Sequence, residues 1–358
     1  MEMLFYIYNK SLSIVGVIDV YKSAIWTERY YTDGDFELYV PATSKNMNLL
    51  QKEYIVARKD TYNYRTHLAK AAIIKKVQIT TDAENGDYMI VTGRSISSIL
   101  SRRIMWKQTR YSGRVEKAIR RMIIDNCISP SIAARTIPNL SLGEEAGITL
   151  TFQTQMTGDN IGTALTEICK SYGLGYDVEL DMDEKAFIFK VYKGVDRSYS
   201  QHENPYVVFS PNFENLISSE YSNDESNYKT TAQIAGEGEG VDRVKTAIGN
   251  SISGLNRFEL FVDARDLSSN NGELTSEEYQ ALLEQRGRDK LAEAGITESL
   301  NSEVASSQTY KLGEDYFIGD IVEVKNDFGM SMTPRVTEVI ECHDDTGYTC
   351  IPTFSTED

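Results

Sequence analysis

The sequence predicts a mainly β, α+β protein: two small β-barrel domains with an α+β module between them and a partly helical insert in the second barrel. Three observations lead there. Short runs with an apolar residue at every second position recur along the chain, Phe36, Leu38 and Val40 alternating with Asp35, Glu37 and Tyr39 being the clearest, and this period of two buries one strand face and wets the other. Two amphipathic helical stretches interrupt these runs near the middle. A glycine-punctuated segment, Asp315-Tyr316-Phe317-Ile318-Gly319-Asp320-Ile321-Val322-Glu323-Val324, precedes Arg335-Val336-Thr337-Glu338-Val339-Ile340, so that a strand is expected to return against a second one.

Residues 1–100 read as the first β-barrel domain. Val77 and Ile79 run into Asp82-Ala83-Glu84-Asn85-Gly86 and Tyr88 to Thr92 returns, with Asn-Gly as the hairpin signal. Gly93-Arg94-Ser95 then opens a short helical stretch carrying Ile96, Ile99 and Leu100. Residues 101–205 form the α+β domain. Its first helix spans about 115–126 with Val115, Ile119, Met122 and Ile123 as the apolar stripe. Its second runs about 160–172, with Asp159 as the expected cap and Gly173 as the stop, before Tyr176–Leu180 and Phe187–Val191 form a hairpin. Residues 206–240 and 307–358 are expected to make the second barrel, with Val207–Phe209, Tyr228–Ile234, 316–325, 334–342 and 348–354 as its strands. The partly helical insert then covers 241–306, where Arg257–Asp263 is a strand and Thr275-Ser276-Glu277-Glu278 is a capping box opening a helix to about Ala294.

Composition narrows the function. The chain has 358 residues, with 53 acidic against 37 basic ones and a formal charge of −16. So acidic a balance argues against tight phosphate-backbone binding, which needs a basic face, and specific nucleic-acid binding is not expected. The N-terminus lacks the charged start and cleavage site of a signal peptide, and no stretch reaches the roughly 18 apolar residues of a membrane helix, so folding in a cytoplasm is expected. Cys127 and Cys169 fall in the helical patterns and read as buried thiols. Cys342 and Cys350 flank a turn at His343–Gly347, and reduced thiols are expected there as well.

No catalytic, cofactor-binding or metal-binding residue is assigned. Gly236-Glu237-Gly238-Glu239-Gly240 lacks the Gly-Lys-Ser/Thr ending of a phosphate loop, and its two glutamates would repel phosphate, so it reads as a mobile turn. His67, His202 and His343 have no partner at metal-ligand spacing, and Asp181, Asp183 and Glu184 lack the calcium-loop pattern. No nucleophile elbow occurs. One charge feature stands out: Arg102, Arg103, Lys107, Arg110, Arg114, Lys117, Arg120 and Arg121 lie within twenty residues that hold the single acid Glu116. These residues fit either a solvated face of snorkelling side chains or an assembly interface, for which Arg102, Arg103, Arg114, Arg120 and Arg121 are the candidates.

The order of parts resembles a known family. Trp26-Thr27-Glu28-Arg29-Tyr30, Gly34-Asp35-Phe36-Glu37-Leu38, Thr92-Gly93-Arg94-Ser95-Ile96, Arg257–Asp266 and Asp315–Val322 together look like siphophage tail hub proteins. This is the tail-associated (Tal) family, gp37-like in some siphoviruses and similar in fold to the contractile-phage baseplate hub. The resemblance implies a homotrimer whose paired barrels form a ring that closes the tail tube and adapts a sixfold tube to a threefold tip; the lack of a catalytic signature in the residues leads to the expectation of a non-enzyme. It implies as partners a distal tail protein or tail tube ring, the tape measure protein and receptor-binding or tip proteins, and as location the virion tail tip, assembled in the bacterial cytoplasm. Family members often continue into a hydrolase or receptor-binding extension; with Asp358 following the last strands, those activities are expected to reside in other proteins. A tail-associated cell-wall hydrolase and a receptor- or carbohydrate-binding tail module are the alternative readings.

Overall fold

A computed structural model describes residues 3–81, 86–269, 272–304, 310–326, 328 and 331–357. The N-terminal part holds strands β1 (Phe5–Tyr8), β2 (Ile14–Ile18), β3 (Ser23–Arg29), β4 (Asp35–Pro41), helix α1 (Ser44–Leu49), and strands β5 (Ile55–Arg58), β6 (Leu68–Ala69), β7 (Ala71–Thr80) and β8 (Tyr88–Ser95). The β4 alternation is realised: Phe36, Leu38 and Val40 are buried while their neighbours are half-exposed. β5 is apolar at consecutive positions because it is covered on both faces. Val56 enters one core with Phe5, Trp26 and Phe36, whereas Ile55 and Ala57 enter another shared with the middle of the chain. β7 and β8 pair as the expected hairpin; the Asn85 of its turn lies outside the described residues.

The middle of the chain contributes β9 (Thr109–Arg114), α2 (Val115–Ile123), β10 (Leu140–Leu142), β11 (Thr151–Met156), α3 (Ile161–Tyr172), β12 (Gly175–Asp181) and β13 (Ala186–Tyr192). The α2 stripe of Val115, Ile119, Met122 and Ile123 is buried as expected, and a single π turn at Ile124–Ile128 extends it. The cap of α3 is Asn160 and not Asp159: the Asn160 side chain accepts from the Gly162 and Thr163 amides, while Asp159 accepts from the Thr157 amide just upstream. Gly173 ends α3 at φ +60°, the left-handed conformation that glycine adopts without strain. β6 of the N-terminal part pairs with β12, so this module borrows a strand from outside its expected limits.

The remainder supplies β14 (Val208–Phe209), β15 (Leu216–Asp224), β16 (Thr231–Ala235), β17 (Lys245–Ile248), β18 (Glu259–Asp263), α4 (Ser276–Glu293), β19 (Thr297–Val304), β20 (Glu323–Lys325), β21 (Ser331–Met332), β22 (Arg335–Asp344) and β23 (Gly347–Glu357). The Thr275–Glu278 capping box opens α4 with both reciprocal bonds made. Tyr279, Leu282 and Leu283 then pack on Ile234 and Val262. Gly287 lets this helix approach the sheet, since a Cβ there would come within 2.6 Å of Ile234 Cδ1. No helix among the described residues is long and apolar enough to cross a membrane.

The strand pairings correct the expected partition. β16 does not join the C-terminal strands; it pairs with β17 and in parallel with β18, and α4 covers the three. Its burial is decided by that helix, far away in sequence. Conversely β19 leaves the expected insert to pair between β15 and β23. Among the described residues no closed barrel is seen, and eleven strands pair in one sheet in the order β15-β19-β23-β22-β3-β4-β8-β7-β5-β1-β2. The join is β22 against β3, residues 338–344 with 23–29. The segment 315–322 is also corrected: only Glu323–Lys325 is a strand, because the Asp320 carboxylate accepts from the nearby Phe317 amide and from the distant Val195 amide and Arg197, which holds the preceding residues in turns.

Candidate assembly surface

Three polar joints, two of them buried and the third half-buried, hold the parts of the chain in register. The first is built on Gly319-Asp320. Asp320, only 2% exposed, accepts from the Val195 amide at 2.7 Å, Arg197 Nε at 2.7 Å and the Phe317 amide at 3.0 Å. Gly319 sits at φ +93°, where a Cβ would lie 2.2 Å from the Tyr30 ring. Tyr30 completes the joint: its hydroxyl accepts from the Gly194 amide and donates to the Gly173 carbonyl, each at 3.0 Å, and burial raises its pKa to about 12. Arg335 donates to the Gly319 carbonyl at 2.6 Å and lies over the Tyr30 ring.

The second joint links β5 to β22 and β23. Arg58 is 2% exposed, ion-paired with Asp60 at 2.6 Å and with Glu341, and its guanidinium lies over Trp26. Tyr348 donates to Glu341 at 2.8 Å. Burial pushes the Glu341 carboxyl up, but the Arg58 charge and hydrogen bond outweigh it and leave the group below its ordinary value. In the third joint Lys70 meets Asp177 at 2.7 Å, Glu28 at 2.9 Å and Glu179 at 3.9 Å. Burial acts to raise the Asp177 pKa, yet Lys70 and Lys190 bring it down to about 2. These joints fix position by charge-assisted bonds, and the Lys70, Glu28 and Asp177 side chains of the third line a small cavity together with Ser97 and Tyr192.

A family model described as Siphovirus ReqiPepy6 Gp37-like protein matches residues 4–354. The chain belongs to this Gp37-like family. No curated protein matches it. The Gp37-like chain is similar in fold to the tail protein from Neisseria meningitidis MC58, with 13% identity, a TM-score of 0.60 and coverage of 100% of this chain and 97% of that one. The prophage MuSo2 43 kDa tail protein from Shewanella oneidensis is 10% identical, with a TM-score of 0.59 over 99% of this chain and 98% of the other. The prophage tail protein gp18 from Listeria monocytogenes EGD-e gives 12% identity and a TM-score of 0.53 over 99% and 95%. These likenesses are of fold, and they run from end to end of the Gp37-like chain.

The basic stretch of the Gp37-like chain is divided by its partners. Arg102 reaches Glu53 at 2.7 Å and Arg103 donates to the carbonyls of Arg135 and Thr136. Lys117 and Arg121 are exposed four residues apart on α2, and Arg114, also exposed, ends β9 just before the helix begins. Arg120, half-buried, is 3.9 Å from Glu145, and Arg121 is 3.3 Å from Asp125. The lone acid in the stretch is used inward: Glu116 is buried and accepts from the Ala146 and Ile148 amides at 2.6 and 2.8 Å.

Other sequence candidates resolve as local structure. His67 is 2.6 Å from Asp183 and hydrogen-bonds Tyr62, His202 bonds Tyr206, and His343 bonds Tyr21. Among the described residues no group of His, Cys, Asp or Glu is arranged to hold a metal ion. All four thiols are free, Cys127, Cys169 and Cys350 being buried. Cys342 lies opposite Thr349 and Cys350 opposite Glu341, which puts the two sulfurs on opposite faces of the hairpin. The Gly236–Gly240 run is the β16–β17 turn, tied down where expected to be loose: Glu237 accepts from the Ser268 hydroxyl and Ser269 amide, and the Gly236 carbonyl accepts from Arg243.

Sequence reading missed Tyr30, Arg58, Lys70, Asp177 and Glu341. The available signal was a charged residue closing or interrupting an apolar strand pattern, as Arg58 does after Ile55-Val56-Ala57. An ion of that kind is retained inside a fold only with a partner.

Proposed function

We propose that this chain is a structural hub of a phage or prophage-derived tail tip, which assembles as a trimeric ring, closes the tail tube and adapts its sixfold symmetry to a threefold tip without catalysis. The observation that carries the reading is the Gp37-like family match across residues 4–354. The continuous sheet formed from both ends of the chain supports it, because pairing of β22 with β3 ties the N-terminal and C-terminal strands into one sheet. In this reading the N-terminal and C-terminal strands form the ring, and the 101–205 module and the α4 unit lie beside it. Its partners are a distal tail protein or tube ring on one face, the tape measure protein at the channel, and receptor-binding or tip proteins on the other face. The acidic balance of the chain suits a conduit for DNA, which should not bind its cargo. Arg102, Arg103, Arg114, Arg120 and Arg121 are proposed as a docking rim for an acidic neighbour.

Gold-labelled antibody against the chain, imaged on intact particles, tests the location. Label at the distal end of the tail is expected. Label along the shaft or on the capsid would refute the hub reading, and unchanged tail assembly in an Arg120→Glu, Arg121→Glu variant would remove the docking rim.

A further inference from the structure

The short connection between the N-terminal strands and β9 carries apolar surface outward and is held rigid. Ile104 makes an isolated antiparallel bridge with Asn160. The Met105 amide donates to the Asp159 carbonyl and its carbonyl accepts from the Gly158 amide, each at 2.8 Å, while the Trp106 amide donates to Asn126 Oδ1 at 3.3 Å. Side chains on such a strand-like backbone alternate. Met105 is buried, and Ile104 and Trp106 on either side of it are 39% and 53% exposed. Arg135, in the turn that Ile132 opens, closes over them: its guanidinium lies 4.9 Å from the Trp106 ring and donates to the Ile104 carbonyl at 2.6 Å. Ile132 is itself 42% exposed. Arg103 donates to the carbonyls of Arg135, Thr136 and Arg102. Among the described residues these two guanidinium groups bond to carbonyls and to no carboxylate, and exposed Lys107 follows Trp106. Positive charge is therefore fixed beside apolar surface with no anion against it.

We propose that this patch binds an acidic segment of a partner protein that presents an aromatic side chain, the ring seated against Trp106 and Ile104 while flanking carboxylates meet Arg135, Arg103 and Lys107. Charge complementarity selects the occupant. In a chain of net charge −16, cations without counter-ions concentrate the attraction for a negative partner at one place. Tryptophan and arginine are also the residue types that dominate interface hot spots, where a large ring is desolvated beside a fixed donor. Backbone bonds already hold Trp106, Arg103 and Arg135, so little freedom is lost when a segment docks. A nucleic-acid strand suits the patch less well, because it needs basic residues along a groove and meets repulsion from the acidic remainder. The inference rests on the docking-rim reading for Arg103, and it adds to that rim an apolar anchor, Ile104 and Trp106, a further cation, Arg135, and a class of partner.

The test uses the full chain and a labelled short peptide of glutamate and aspartate around a central phenylalanine, followed by fluorescence anisotropy and by tryptophan emission. Trp26 is buried, so a change in emission on binding reports Trp106. Saturable binding that shifts this emission and weakens as salt is raised is the expected result. Trp106→Ala should weaken binding about tenfold, as should serine in place of the phenylalanine of the peptide. Lys107→Glu should weaken it about threefold. Both substituted positions are exposed, so unchanged melting is the control for folding. Affinity that is unchanged by Trp106→Ala, or by serine in the peptide, overturns the anchor; if that binding is lost in the Arg120→Glu, Arg121→Glu variant, the docking rim stands without it. No binding at the highest attainable peptide concentration, or tighter binding of a labelled oligothymidylate of the same length, overturns the proposal.

Discussion

Replacing Glu341 with alanine tests whether the Arg58 joint binds the two ends of the chain together. Arg58 is 2% and Glu341 7% exposed, so water cannot take over the lost partner. The substitution removes both contacts from the Arg58 guanidinium and the one from the Tyr348 hydroxyl, leaving Asp60 at 2.6 Å as the remaining counter-charge. Removing one member of a buried pair typically costs about 3–5 kcal/mol, and the retained Asp60 places the expectation near about 3 kcal/mol. Replacing Arg58 and Glu341 with leucine and Asp60 with asparagine removes all three charges together and should cost less than Glu341→Ala alone. Urea unfolding followed by tryptophan fluorescence is a suitable assay, because Trp26 stacks under Arg58. A loss below about 1 kcal/mol for Glu341→Ala, or a larger loss for the variant with all three charges removed, would refute the view that this is a buried, partner-dependent joint.

Gly319→Ala forces a Cβ toward the Tyr30 ring at φ +93°, and a loss above about 1 kcal/mol is expected by chemical denaturation. Asp177 titrates at about 2 in the fold against about 3.9 unfolded, so its contribution is present above pH 4 and disappears as the pH falls toward 2. That contribution is about 2 kcal/mol, and an acid titration of stability should lose this slope in Asp177→Asn. Asn160→Ala removes the bonds to the Gly162 and Thr163 amides, with an expected loss of about 1 kcal/mol read from the unfolding midpoint.

Much of the local structure was legible in the residues. The alternation at Asp35–Pro41, the α2 stripe, the Gly173 stop and the Thr275–Glu278 box all appear where the sequence placed them. Each depends on contacts within a few residues, so its signal is written at one place in the chain. The α3 cap was displaced by one residue because Asp159 and Asn160 are both competent caps, and only the backbone conformation chooses between them. Residues 315–322 failed as a strand for a different reason. Their apolar content is that of a strand, but Asp320 binds Val195 and Arg197, residues more than one hundred positions earlier, and those bonds favour the turn.

The sequence by itself determined that this is an acidic, mainly β chain with Gp37-like motifs in Gp37-like order, because composition, period and motif order are properties of the chain as written. Only the tertiary structure decided which strands are neighbours. β3 and β22 pair across more than three hundred residues, β16 turns away to α4, and Arg58 finds Glu341. A strand carries its burial pattern in its own residues but offers the same backbone donors and acceptors to any partner, so pairing is settled by which cores close around it. The same rule places β2 and β15 at the two ends of the sheet among the described residues, a feature that no single segment of the sequence displays.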